Sequence, residues 1–105
     1  MKLSVRGVSI LFASGDQGVC GRSGCGDGTF NPDFPSASPY VTAVGGTDFN
    51  ARSVIGEEKA WSGGGGGFSN TFPAPTWQTA AIASYKTTAA ATLPPQAKWN
   101  ATGRG

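Results

Sequence analysis

An uncharged apolar run that stops abruptly in a glycine turn constrains this chain more than any other feature. Val8-Ser9-Ile10-Leu11-Phe12-Ala13 is short and rich in branched and aromatic residues. Such a run reads as a strand buried on both faces, the kind found in parallel sheets. Ser14-Gly15-Asp16-Gln17-Gly18 then breaks it. In open α/β sheets, chemistry collects just beyond the carboxyl ends of the strands. Asp16 stands at such an end, flanked by glycines that let other backbone come close. On spacing alone the plainer reading, an Asp that caps a turn, is the commoner one.

The chemistry open to this chain is narrow. It has no His, so the commonest general base and the commonest metal ligand are both missing from anything it does alone. Its net charge of +2 is weak and scattered, which is no footprint for nucleic acid. No apolar run reaches membrane-spanning length, and Met1-Lys2-Leu3-Ser4-Val5-Arg6 has no apolar core of a signal peptide. The length, 105 residues, suits one small domain with a modest core. Cys20 and Cys25 lie in a glycine-rich loop. Zinc wants four ligands of this kind and they are not here. A local disulfide, a bridge to a part not present, and two free thiols all remain open.

Along the chain, Lys2 to Gly7 has the look of a helix tail capped by glycine. If so, the helix begins before Met1 and the chain is a piece of something larger. Ser14 to Ser38 is one long glycine-rich loop, of a length that is usually functional or partly disordered. Tyr40-Val41-Thr42-Ala43-Val44 forms a second strand stopped by Gly45-Gly46, with Thr47-Asp48-Phe49 as a brief continuation. Ser53-Val54-Ile55 and Lys59-Ala60-Trp61 could pair as a weak hairpin. Gly63 to Gly67 is a run of five glycines, where backbone must approach another chain segment or a ligand closely. Pro75 suits the first position of a helix. Trp77 to Tyr85 continues it, with Trp77, Ala81 and Tyr85 on one face, and Leu93-Pro94-Pro95 ends it. Gln96 to Gly105 has no organised pattern. Asn100-Ala101-Thr102 matches a glycosylation acceptor, a triplet that arises often by chance. Gly24, Gly26 and Gly28 faintly resemble a nucleotide loop, but lie too far from the strand and lack the P-loop lysine.

Three blocks together carry a resemblance. They are Phe12-Ala13-Ser14-Gly15-Asp16-Gln17-Gly18, Phe34-Pro35-Ser36-Ala37-Ser38-Pro39-Tyr40-Val41-Thr42-Ala43-Val44-Gly45-Gly46-Thr47, and Trp61-Ser62-Gly63 through Phe68-Ser69-Asn70 with Phe72-Pro73. In this order they resemble the sedolisin family of serine-carboxyl peptidases, and Asn100 to Arg104 is similar to a further segment of it. The resemblance implies residues 1–105 are part of an α/β catalytic domain, a partial subtilisin-like parallel sheet with long glycine-rich loops. It implies an acid-acting serine-type endopeptidase or tripeptidyl peptidase, secreted or lysosomal, with a peptide or protein substrate and no nucleic acid or membrane partner. The family's nucleophilic Ser sits in a Gly-Thr-Ser motif, and its Glu and Asp come from another helix. Neither is present, so the chain depends on the missing parts of the catalytic domain and is inactive alone. Calcium is expected in the complete family domain, and no cofactor in this chain.

One family residue carries over, Asp16. In the related subtilisins an Asn at this turn donates a hydrogen bond to the oxyanion. A protonated carboxyl can do the same and a carboxylate cannot. An ordinary Asp titrates near pH ~3.9, so the resemblance implies either an acidic medium or burial that raises that value. The other readings are a non-catalytic glycine-rich interaction module and an inert truncated gene product.

Overall fold

The computed structural model describes every residue except Arg52 and Val54. Two small sheets and one helix make up its regular structure. Strand β1 (Leu11–Ala13) pairs in parallel with β2 (Thr42–Val44), in the register Leu11 to Thr42, Phe12 to Ala43 and Ala13 to Val44. The ladder extends at both ends, through Thr42 N–H to the Ile10 carbonyl at 2.8 Å and Ser14 N–H to the Val44 carbonyl at 2.9 Å. A parallel pair cannot be joined by a tight turn, and the long excursion through residues 14–41 makes the crossover.

The strand was expected to be buried on both faces, and it is not. Leu11 is 64% exposed and Phe12 is 40% exposed. Only β2 lies beside β1, and no described element covers either face. The radius of gyration, 14.9 Å, also exceeds the ~13 Å usual for a chain of this length.

Thr47-Asp48-Phe49 does not continue β2. It forms β3 (Thr47–Phe49), which pairs antiparallel with β4 (Glu58–Ala60), setting Thr47 opposite Ala60 and Phe49 opposite Glu58. Gly45-Gly46 breaks the chain away from the first sheet, and Trp61 N–H donating to the Gly46 carbonyl at 3.0 Å extends the hairpin. The partner strand expected at Ser53-Val54-Ile55 is replaced by Thr47–Phe49. Val54 lies outside the described residues, and Ile55 is fully exposed. At the other end, Ser4–Arg6 is a short 3-10 turn closed by Gly7 in the left-handed region, with φ of 76°. The glycine cap stands where expected, on a shorter helix.

After Pro75 a 3-10 turn, Thr76–Gln78, leads into α1 (Thr79–Thr88). Of the expected face, Trp77, Ala81 and Tyr85, only Tyr85 meets the core, its ring centroid 6.1 Å from that of Phe68, and all three are exposed. Gln78, Ile82, Lys86 and Ala89 are the half-buried positions, whereas Trp77 is 74% exposed. The reason is the core that the helix meets. Phe68 and Trp99 are the buried hydrophobic residues among those described, stacked with centroids 4.9 Å apart. The Lys86 ammonium lies 5.3 Å from each ring centroid, a cation over two aromatic faces. It also donates to the Ala101 carbonyl at 2.5 Å. The Trp99 indole N–H donates to the Pro94 carbonyl at 3.0 Å, so the polar edge of the ring is satisfied.

The tail is organised, against expectation. Arg104 is buried; its Nη1 donates to the Ser36 carbonyl at 2.7 Å and its Nη2 to the Val41 carbonyl at 2.8 Å. Pro73 and Gly103 form an antiparallel bridge, and Ser69 N–H donates to the Arg104 carbonyl at 2.8 Å. These bonds span long sequence distances, so no local pattern announces them.

Candidate active site

The carboxyl ends of β1 and β2 open onto the Ser14–Gly18 turn. The glycine run packs directly on it. Gly65 N–H donates to the Gly15 carbonyl at 2.7 Å, and Gly18 N–H donates to the Gly63 carbonyl at 3.2 Å. A Cβ placed on Gly65 would collide with the Ser14 carbonyl oxygen. Glycine is therefore required there by the closeness of two backbones. Gly65→Ala is expected to lower stability by ~1–3 kcal/mol through overpacking. Gly66→Ala, with nothing within 4 Å of the added carbon, is expected to stay within ~0.5 kcal/mol. Chemical denaturation of the two variants side by side checks the difference.

Asp16 sits exposed at the crest of this turn, between the half-buried Gly15 and Gly18. Its backbone N–H makes a long contact of 3.4 Å with Gln17 Oε1, and its carboxyl makes no hydrogen bond among the described residues. It is therefore not acting as a side-chain cap of its own turn. Next to the turn lies a cavity of about 200 Å³, lined by Ser14, Gly45, Gly65, Gly66, Ser69 and Arg104 among others.

Two of the serine hydroxyls that line this cavity, those of Ser36 and Ser69, are occupied with backbone. Ser36 Oγ donates to the Asp33 carbonyl at 2.7 Å. Ser69 Oγ accepts from Thr71 N–H at 3.2 Å and Phe72 N–H at 2.9 Å. Neither bonds to a carboxylate, so neither is set up as an activated nucleophile. Burial of Arg104 lowers its pKa below the ordinary value. The unfolded chain thus holds this proton more tightly, and the cost of burying the charge is present in full at neutral pH. It eases only as pH climbs toward the guanidinium's own range.

Cys20 and Cys25 form a local disulfide with Cα atoms 5.1 Å apart, which decides among the three readings left open. Gly24, Gly26 and Gly28 lie in turns with no helix after them, unlike a phosphate-binding loop. In the Asn100 triplet the side chain is engaged: Nδ2 donates to the Ser69 carbonyl at 2.9 Å, and Oδ1 accepts from Thr102 N–H at 3.1 Å and Thr102 Oγ1 at 2.9 Å. The acceptor nitrogen is thus tied into the fold.

Local sequence pattern places Asp16 beyond a strand end and the glycine run at a close approach, and the structure brings the two together. Local pattern misses Asp33 and Arg104. Asp33 lies within the span that the sequence marks only as a long glycine-rich loop, and Arg104 within the unpatterned tail.

No family model matches the sequence. Among curated proteins, the chain is 46% identical over 104 residues to tripeptidyl-peptidase 1 of Mus musculus and of Macaca fascicularis, and 45% identical to that of Homo sapiens. Each comparison covers 99% of this chain and 18% of the relative, so the chain spans less than a fifth of the length of the curated relatives it matches. The blocks that frame the Ser14–Gly18 turn lie within the matched residues, and by this identity the chain is a homologue of one segment of tripeptidyl-peptidase 1, a peptidase of the sedolisin family.

Proposed function

We propose that the chain supplies the oxyanion-stabilising segment of an acid-acting serine-type peptidase, an endopeptidase or tripeptidyl peptidase with a subtilisin-like catalytic domain. The observation that carries this is the packing of the glycine run on the Ser14–Gly15 backbone, which leaves Asp16 projecting free beyond the carboxyl ends of a parallel strand pair. When a serine hydroxyl attacks a peptide carbonyl, the carbonyl oxygen gains negative charge. The protonated Asp16 carboxyl donates a hydrogen bond to that oxygen, and the bond strengthens as the charge develops. The donor must hold its proton, which suits a secreted or lysosomal acidic setting. The serine and its carboxylate base come from outside these residues, so the 105-residue chain by itself does not cleave peptides.

Calcium, implied for the complete family domain, finds no cluster of three or more His, Cys, Asp or Glu side chains among the described residues. The chemistry above does not pass through calcium. The test is a graft. The chain is set into mouse tripeptidyl-peptidase 1 in place of the matching 104 residues and assayed for tripeptide release in acid, beside the purified chain alone. Activity in the graft and none in the chain is expected. Peptide hydrolysis by the chain alone, surviving Asp16→Ala, overturns the reading.

A further inference from the structure

The Ser14–Gly18 turn is gripped from two sides, and only one of them is the glycine run. On the other side stands Asp33, whose side chain is 14% exposed. Its Oδ1 accepts the Arg22 backbone N–H at 3.0 Å, and its Oδ2 lies 3.6 Å from Arg22 Nε. Arg22 Nη2 also donates to the Phe34 carbonyl at 3.3 Å, so the guanidinium closes over the same short segment. The Asp33 main chain is pinned as well. Its carbonyl accepts from Ser36 Oγ at 2.7 Å and from Ala37 N–H at 3.0 Å.

This fixed carboxylate fills the side-chain space of two glycines. A Cβ on Gly15 would lie 2.9 Å from Asp33 Oδ2, and a Cβ on Gly21 would lie 2.7 Å from Asp33 Oδ1. Gly15 immediately precedes Asp16. Gly21 lies inside the ring closed by Cys20 and Cys25. One side chain therefore lies between the disulfide loop and the turn that carries the candidate oxyanion donor, beside the Asn31 carbonyl that comes closer still to the Cβ position of Gly21. The Arg22 side chain is 71% exposed, so the ion pair adds little stability by itself. What the arrangement supplies is position.

We propose that Asp33 is a positioning residue for Asp16, fixing the direction in which its carboxyl leaves the turn by wedging behind Gly15. The proposal rests on Asp16 as the oxyanion donor. A displacement of about an ångström at a reacting group costs on the order of a hundredfold in rate. In the grafted peptidase, Asp33→Ala is therefore expected to lower kcat by ~10- to 100-fold with KM changed less than about twofold. Asp33→Asn keeps the bulk and an oxygen for the Arg22 N–H, and is expected to recover most of the loss.

Three results overturn the proposal. One is kcat unchanged by Asp33→Ala where Asp16→Ala removes activity. Another is an equal loss in Asp33→Ala and Asp33→Asn that follows a fall in thermal midpoint, which marks a merely structural role. The third is full activity in Asp16→Ala, which defeats the oxyanion reading and the proposal with it. Should the grafted Asp33→Ala variant not fold, amide chemical shifts in the 105-residue chain decide. Gly15, Asp16 and Gln17 are expected to move more in Asp33→Ala than in Asp33→Asn, with α1 unmoved; unmoved shifts in the turn overturn the proposal.

Discussion

Replacing Asp16 with alanine in the grafted peptidase is expected to cut kcat by ~100- to 1,000-fold, the cost of losing one oxyanion donor. KM should change little, because the hydrogen bond strengthens with charge that exists only in the transition state. Stability should also hold, since Asp16 is exposed and its carboxyl makes no hydrogen bond among the described residues. Asp16→Asn separates donation from protonation. An amide donates at any pH, whereas a carboxyl donates only while it keeps its proton. The Asn variant is therefore expected to retain most of the rate in acid and to extend activity toward neutral pH. The extension stops where some other group becomes limiting. Full pH profiles of kcat for the three proteins check this, and an Asn variant as dead as the alanine one would show that residue 16 does not donate.

Arg104→Ala is expected to produce the largest loss of stability of any single change in the chain, about 3 kcal/mol or more. Its two bonds, to the carbonyls of Ser36 and Val41, are charge-assisted, worth ~1.5–3 kcal/mol each. Removing the guanidinium also strands those carbonyls near a buried region, where Ser36 is 6% exposed. Two joins fail together: the turn at Ser36 and the residue that leads into β2. Arg104→Lys keeps the charge but offers a single ammonium where a fork spans two acceptors, so it should recover only part. Small domains carry little stability in reserve. Denaturant titration followed by circular dichroism should therefore show Arg104→Ala losing its cooperative transition, and Arg104→Lys keeping one at a lower midpoint.

Features made by neighbouring residues were legible in the sequence. The end of β1, the stop of β2 at Gly45-Gly46, the cap at Gly7 and the need for close approach at Gly63 to Gly67 each follow from local backbone chemistry. So does the place of Asp16 beyond a strand end. The features that were not legible depend on partners far along the chain. Lys86 reads as a solvent-facing cation until Phe68 and Trp99 are brought under it. That is why the half-buried positions are Gln78, Ile82, Lys86 and Ala89, with Tyr85 alone of the expected face reaching Phe68. Arg104 reaches residues 68 and 63 positions away, and no periodicity can encode that. The apolar letters of β1 correctly marked a strand but misstated its surroundings, since apolarity specifies what a residue prefers to touch and not what lies beside it.

The stack of Phe68 on Trp99 gives the chain its own optical gauge. Trp99 is 9% exposed, while Trp61 is 39% and Trp77 74% exposed. A water-borne collisional quencher will darken the two outer indoles and spare the inner one. The emission that survives reports on a single locus, where the helix, the segment after the glycines and the final residues meet. Its disappearance during titration marks the moment that junction comes apart, independently of what either small sheet is doing.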